Sequence, residues 1–308
     1  MLLTSELYED LVDNIAVLFE KSFGKKIEKQ YLEWRYLKNP IKDVLVAVDI
    51  ENKQVLANYS ASPCLLCIKG KSYKTGLSMT TMTHPNFRRK GLFPKLAKEL
   101  YNHMISLNYV MIWGFPNANS HETFNQHLGW NDIYSIPMMQ LSVIDSKKNG
   151  DVPRFDNDFN LNYTESKGLE SLIHVKKDKQ YLRWRYGNNP INKYKNFVVY
   201  HGNEVSSFCV TKLYEGNIDL VDFQADNIEE GEYLLRQVMS FAYTQGCRFL
   251  NCWAPRHHFI YSLCEKFNFR KTKQITSFGF HLLHNKDYQA YIQRYENWYI
   301  QMGDSDVY

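Results

Sequence analysis

Twelve residues, KQYLEWRYLKNP (Lys29 to Pro40), return 150 positions later as KQYLRWRYGNNP (Lys179 to Pro190), with nine of the twelve identical. Repetition at this level is an internal duplication, and it constrains the fold more than any single motif does. The same supersecondary plan is expected twice, so that 308 residues make two domains of ordinary size. The best boundary is Lys147-Lys148-Asn149-Gly150-Asp151-Val152-Pro153, a polar stretch containing Gly and Pro. The expected domains are therefore 1–148 and 153–308.

The first plan opens with apolar residues at Leu7, Leu11, Ile15 and Val17 or Leu18, helical spacing over Ser5 to Lys21. A short helix from Glu28 to Tyr36 is stopped by Asn39-Pro40, because the residue before proline leaves the α region. Strand signals follow at 44–48, 55–61, 64–68 and 73–83, separated by polar turns, an antiparallel meander. After His84-Pro85-Asn86 comes a basic loop, Arg88-Arg89-Lys90-Gly91-Leu92-Phe93. It runs into a helix whose stripe is Phe93, Leu96, Ala97, Leu100 and Met104. Strand 109–115, helix 120–128 and strand 133–143 complete the plan.

Strand, loop and helix N-terminus in that order make an anion cradle. The first amides of a helix have no internal partner, and the dipole adds positive potential there. The second plan repeats the strands (197–200, 205–213, 218–224), a helix (229–244), a strand (249–253) and a helix (256–267). Between matched landmarks the offset falls from 150 to 139, as Pro116 to Pro255 shows. The second half is therefore shorter by eleven residues in the interval that holds the basic loop, and it reads Asp226-Asn227-Ile228-Glu229-Glu230-Gly231 there. An acidic loop repels a polyphosphate. The first half is expected to bind the anion, and the second to keep the scaffold without the site.

A net charge of +4 is too small for a nucleic-acid surface and suits a local basic pocket. No apolar run reaches the ~18 residues of a membrane span, and acids stand early in the N-terminus, so no signal peptide is expected. Six cysteines occur singly or, at Cys64 and Cys67, on opposite faces of one strand, with no histidine at metal spacing. Buried reduced thiols in a cytoplasmic protein without a metal are the expectation.

The series helix, helix, antiparallel strands, R-x-x-G loop, helix, strand, helix, strand resembles the GCN5-related N-acetyltransferases (GNAT enzymes). Thr83-His84-Pro85-Asn86-Phe87-Arg88-Arg89-Lys90-Gly91-Leu92-Phe93 carries the resemblance, with Phe93 where the family has Gly or Ala. The repeat, RRKGLF, Gly114-Phe115-Pro116-Asn117 and the Gly303-Asp304-Ser305-Asp306 tail look most like tandem proteins of bacterial surface-sugar pathways. The implied fold is α/β, two tandem GNAT-like domains, each a mixed, mostly antiparallel sheet flanked by helices.

The resemblance implies direct attack of an amine on acetyl-CoA. The acceptor would be a small-molecule amine such as an amino sugar or nucleotide amino sugar. The backbone of Met82 and Thr83 would meet pantetheine and the acyl carbonyl. The loop Arg88, Arg89, Lys90, Gly91, Leu92 and Phe93 would hold the pyrophosphate. Asn117 and Asn119 either bond the pantetheine amide or cap the following helix. Aligning Leu128-Gly129-Trp130 on the family's LGF puts Asn125 where a Tyr often protonates the thiolate, which leaves that role unfilled. Candidates for proton transfer are His121 and Glu122 at a helix start, and Asp304 and Asp306 in an acidic tail. That tail is docked by a helix bearing Tyr288, Ile292, Tyr295 and Tyr299, or else is a solvated terminus. The repeated Tyr31-Leu32-Trp34-Arg35-Tyr36 reads as scaffold, with Arg35 and Arg185 bonding backbone carbonyls. The competing readings are a non-catalytic CoA-binding scaffold and an aminoacyl-tRNA-dependent transferase.

Overall fold

The computed structural model describes residues 1–144, 153–163, 167–284, 288–306 and 308. Of the expected boundary segment, 147–152 lies outside the described residues. In chain order, α1 (Ser5–Phe23) and α2 (Lys29–Tyr36) precede β1 (Leu45–Glu51), β2 (Gln54–Ile68) and β3 (Lys71–Thr83). Next come α3 (Leu92–Ser106), β4 (Met111–Gly114), α4 (His121–Leu128) and β5 (Asn131–Ser142). The second half holds β6 (Ile173–Val175), α5 (Lys179–Leu182), β7 (Tyr194–His201), β8 (Glu204–Tyr214) and β9 (Asn217–Gln224). It continues with α6 (Ile228–Thr244), β10 (Phe249–Cys252), α7 (Phe259–Lys266), β11 (Arg270–Leu282), α8 (Gln289–Ile292) and β12 (Trp298–Tyr299).

Two compact units result, and neither is a continuous stretch of chain. Unit 1 comprises 1–66, 73–134 and 277–293; unit 2 comprises 67–72, 135–276 and 294–308. In unit 1 the strand order is β1-β2-β3-β4-β11. β1 and β2 are antiparallel, β3 and β4 parallel, and β4 pairs antiparallel with β11, Gly114 opposite Gly279 and Met111 opposite Leu282. Unit 2 repeats the pattern as β7-β8-β9-β10-β5, with β9 and β10 parallel and β10 antiparallel to β5. A single cut near 150 is thus corrected. Each unit's parallel pair is completed by a strand from the other half of the sequence.

Strand alternation builds the unit 1 core on two faces. Leu45, Ala47, Ala57, Tyr59 and Ala61 pack with Leu96, Leu100 and Met104 of α3 and Phe124 of α4. Val46, Val48, Val55 and Met79 pack with Tyr8, Val12 and Ile15 of α1 and Leu32 and Tyr36 of α2. α1 begins with Thr4 accepting from the Leu7 amide and ends at Gly24, whose φ of 68° closes the helix in the left-handed region.

Three expectations change. Residues 55–61 and 64–68 are one strand, running through Pro63. β11 follows Phe269, where no strand was expected. The aromatic helix ends at Ile292, because the chain then pairs Trp298 and Tyr299 in parallel with Ile173 and His174. That pairing overrides the helical spacing, although Ile292, Tyr295 and Tyr299 are all buried as the stripe requires. The six cysteines are buried and free. No helix among the described residues is long and apolar enough to cross a membrane.

Candidate active site

Parallel pairing of β3 with β4 lasts three residues: Thr75, Gly76 and Leu77 face Met111, Ile112 and Trp113. β4 then ends at Gly114, and a Cβ there would stand 3.1 Å from the Ser78 carbonyl oxygen. β3 runs on to Thr83, so the two strands part beyond Ser78 and leave main chain of β3 without β4 as a neighbour. The break is built in. Thr80 has φ of 52°, a left-handed conformation that a β-branched residue resists. Such strain costs about 1–3 kcal/mol and persists only where the surroundings over-determine it.

The surroundings here are a buried hydroxyl network. Tyr36 Oη lies 2.7 Å from both Thr80 Oγ1 and Ser60 Oγ. Asn58 Nδ2 donates to the Thr80 carbonyl at 2.8 Å, and Ser60 Oγ donates to the Met79 carbonyl at 3.1 Å. Tyr36 is the last aromatic of the repeated motif, so that motif clamps the strand irregularity. Unit 2 does the same with other atoms. Tyr186 Oη donates at 2.8 Å to Asp222 of β9, beside the irregular register at Val210/Thr211. The scaffold reading of the repeat gains a physical cause.

Past the break, His84 accepts the Asn86 amide and starts a short turn over Pro85–Phe87. Arg89 and Gly91 both take positive φ, 62° and 73°. α3 then begins, and its first internal bond is Lys95 N to Gly91 O at 3.2 Å. Pro94 has no amide to leave unpaired. The amides of Lys90, Gly91, Leu92 and Phe93 have no acceptor among the described residues, which is the arrangement that takes an anion. Phe93, the departure from the R-x-x-G-x-(G/A) pattern, turns its ring inward, 5.3 Å from Tyr59 and 5.1 Å from Phe124.

The charges are arranged less simply than the sequence implied. The Arg88 guanidinium donates to the Ser22 carbonyl at 3.2 Å, tying the loop to the end of α1. The Lys90 ammonium lies 4.5 Å from the Phe87 ring centre. Arg89 and Lys90 are exposed. The Met82 side chain belongs to the core, and the Thr83 carbonyl accepts from Ser22 Oγ at 3.4 Å. Asn117 Oδ1 accepts the Asn119 amide at 2.9 Å and lies 3.3 Å from Ser120 Oγ, so Asn117 orders the turn into α4. Asn119 is exposed.

In α4, His121 Nε2 lies 2.9 Å from Asp132 Oδ1, and Asn125 Nδ2 donates to Asp132 Oδ2 at 2.9 Å. Sequence reasoning missed Asp132, which stands two residues beyond the Leu-Gly-Trp used for alignment. Glu122 is exposed and accepts from Gln126 one turn on, at 3.1 Å.

Unit 2 fills the same places with its own chain. At the start of α6, Asn227 accepts the Glu230 amide at 2.9 Å. The Glu230 carboxylate takes Ser206 Oγ at 2.7 Å, Ser207 Oγ, and Asn227 Nδ2 at 2.9 Å, and pairs with His201 at 3.1 Å. Burial would raise its pKa, but these hydroxyl and amide donors, with His201, hold it below the ordinary value. A resident carboxylate thus occupies the helix start that in unit 1 is open.

The acidic tail is also internal to unit 2. Arg185 donates to the main-chain oxygens of Gly303 and Ser305, both at 3.2 Å, and of Tyr308. That bears out carbonyl bonding for this arginine, while Arg35 donates to Tyr31 Oη at 3.3 Å. Asp304 is closed to solvent: Lys177 lies 2.9 Å from Oδ1, and the Gln301 amide donates to Oδ2 at 2.8 Å. Burial, opposed by Lys177, holds its carboxyl above the ordinary range. The catalytic role expected of Asp304 is corrected, since a carboxylate engaged in this way has no access to a substrate. Asp306 is half-buried in the same tail, and His121 and Glu122 belong to unit 1.

Residues 4–133 match the family model of the acetyltransferase (GNAT) domain. No curated protein matches the chain in sequence. Among solved structures, a conserved protein of unknown function from Enterococcus faecalis V583, a probable N-acyltransferase, is similar with a TM-score of 0.67 and 10% identity, over 91% of this chain and 72% of that one. A GCN5-related N-acetyltransferase from Anabaena variabilis is similar at 0.64 and 9%, over 91% and 71%. Saccharomyces cerevisiae N-myristoyltransferase with bound myristoyl-CoA is similar at 0.58 and 10%, over 90% and 80%. At these identities the likeness is one of fold.

Proposed function

We propose, from the premise that residues 4–133 are an acetyltransferase domain of the GNAT family, that this chain is an acyl-CoA-dependent N-acyltransferase using acetyl-CoA. One observation carries the reading: β3 parts from β4 beside a helix start whose amides are unclaimed. A pyrophosphate would lie on the amides of Lys90 to Phe93, with Arg89 and Lys90 free to close on it. The pantetheine arm would run along Thr81 to Thr83, with Asn117 and Asn119 at the facing turn. The acceptor is a primary amine of a small molecule, and an amino sugar rests on the resemblance of the repeat, RRKGLF and GFPN. The amine nitrogen bonds to the thioester carbon, the C–S bond breaks, and CoA leaves. The reading gives one cofactor site per chain, in the cytosol where acyl-CoA is made.

Acetyl-CoA at about one hundred times its Kd is expected to stabilise the protein by about 2.7 kcal/mol, read as a rise in Tm. Gly91→Asp should abolish that rise by setting a carboxylate on the phosphate position. Gly91→Asn adds the same bulk and the same left-handed strain without charge, and a Cβ at 91 meets nothing within 4 Å. Most of the rise should survive in Gly91→Asn. Equal loss in both variants would remove the electrostatic reading of the loop.

A further inference from the structure

We propose that His121 accepts the proton of the attacking amine, with Asp132 as its positioning residue and Asn125 holding Asp132 in place. This rests on the acyl transfer proposed above. Asp132 joins the three side chains: His121 Nε2 donates to its Oδ1 at 2.9 Å and Asn125 Nδ2 to its Oδ2 at 2.9 Å, which leaves the two donor nitrogens 3.4 Å apart. A carboxylate on one ring nitrogen fixes the imidazole and stabilises the cation formed when the other nitrogen takes a proton. Nδ1 of His121 has no partner among the described residues.

Packing ties the cluster to the parted strands. Phe124, between the two clamping positions, meets Phe93, whose amide is one of the open donors of α3, at 5.1 Å. It also meets Tyr59 at 6.3 Å between ring centres, and Tyr59 Oη lies 3.1 Å from Ser78 Oγ, where β3 and β4 part. Through Phe124, α4 packs beside the open start of α3 and beside the tyrosine that reaches the parting point of β3 and β4.

Four other acid–base groups of unit 1 are already engaged. His84 Nδ1 accepts the Asn86 amide at 3.3 Å, Glu122 accepts from Gln126 at 3.1 Å, Asp49 pairs with Lys95 at 2.9 Å, and Asp43 pairs with Lys74 at 2.8 Å. An alkyl ammonium, with a pKa of about 10, must lose a proton before it can attack. Histidine is the side chain suited to take it near neutrality. The ammonium gives one proton to Nδ1, which passes it to solvent. The C–N bond then forms, the C–S bond breaks, and the nitrogen's second proton goes to the departing thiolate.

The test uses the full chain with acetyl-CoA. The ring resonances of His121 are assigned with His121→Gln and followed by NMR through saturation with acetyl-CoA. The expected result is a shift of the His121 ring while His103 stays in place. Absence of a shift at saturation overturns the assignment. Thiol release is then measured with D-glucosamine and with spermidine. Removing the base through His121→Gln should lower kcat at least 100-fold while leaving the acetyl-CoA-induced Tm rise intact. Asp132→Asn should lower kcat about tenfold with the acetyl-CoA-induced Tm rise intact, and Asp132→Glu should recover part of that kcat. No recovery in Asp132→Glu, or loss of the Tm rise together with kcat, makes Asp132 merely structural and overturns its role. If acetyl-CoA gives no Tm rise in the unaltered protein, acyl transfer itself fails and the dyad with it. A Tm rise with an unresponsive His121 sinks the dyad alone.

Discussion

A chain ending at residue 148 is expected to give no stably folded N-terminal unit. All four residues of β4 are buried, and their antiparallel partner is residues 279–282 of β11. Phe278 stacks on Phe115 at 5.4 Å, and His281 on Tyr101 at 5.0 Å. Phe278 and Phe280 are fully buried, and losing a buried Phe side chain costs about 3–5 kcal/mol. Two such losses and four unpaired backbone positions reach the whole stability of an ordinary domain, about 5–15 kcal/mol. Circular dichroism and soluble yield would read the failure. Joining residues 270–293 by a flexible linker to residue 144 should restore a cooperative transition. A transition in the bare fragment matching that of the full chain would show that β4 does not need β11.

Lys177→Met should be the most damaging single substitution in unit 2. Lys177 sits 2.7 Å from Asp222 and 2.9 Å from Asp304, with all three side chains sealed from water. Burial pulls the lysine pKa down, yet the two carboxylates outweigh it and keep the ammonium charged. Removing one partner of a buried ion pair costs about 3–5 kcal/mol, because the remaining charge is stranded. Here two carboxylates are stranded face to face. Urea denaturation should show the loss, and adding Asp304→Asn should recover part of it by removing the repulsion. If the second substitution makes matters worse, Asp304 matters as the cap on the Gln301 amide rather than as a charge.

The helices and the meander were legible because burial in this chain follows simple periods. Leu96, Leu100 and Met104 keep helical spacing, and β1 alternates Leu45 and Ala47 against Val46 and Val48. The cradle was legible because Gly91 and Pro94 bracket a helix start in a recognisable way. The duplication also drew attention to the difference between the two loops, though not to what fills the second, which is Glu230 folding back on Ser206 and Ser207. What the sequence hid is long-range. Tyr36 meets Thr80 across 44 positions, Arg185 meets Ser305 across 120, and β4 finds β11 rather than β5. Nothing local in Ser78-Met79-Thr80 announces a left-handed threonine, since the strain is held by residues of α2 and β2. The tail misled for the same reason: two aspartates after a glycine look solvated until Lys177 and Arg185 are in place.

The exchanged strands also set a clock on biosynthesis. Met111 leaves the ribosome about 170 residues before its partner Leu282 exists. At ~5–20 residues per second, β4 waits roughly 10–35 s with one edge uncovered. During that interval the nascent chain carries a short apolar strand, Met111-Ile112-Trp113, able to pair with any passing β-edge. Ribosome-proximal chaperones, or slow initiation that keeps neighbouring chains apart on the message, would be needed at that stage. The finished protein shows no trace of the requirement, because residues 279–282 cover that edge once they are made.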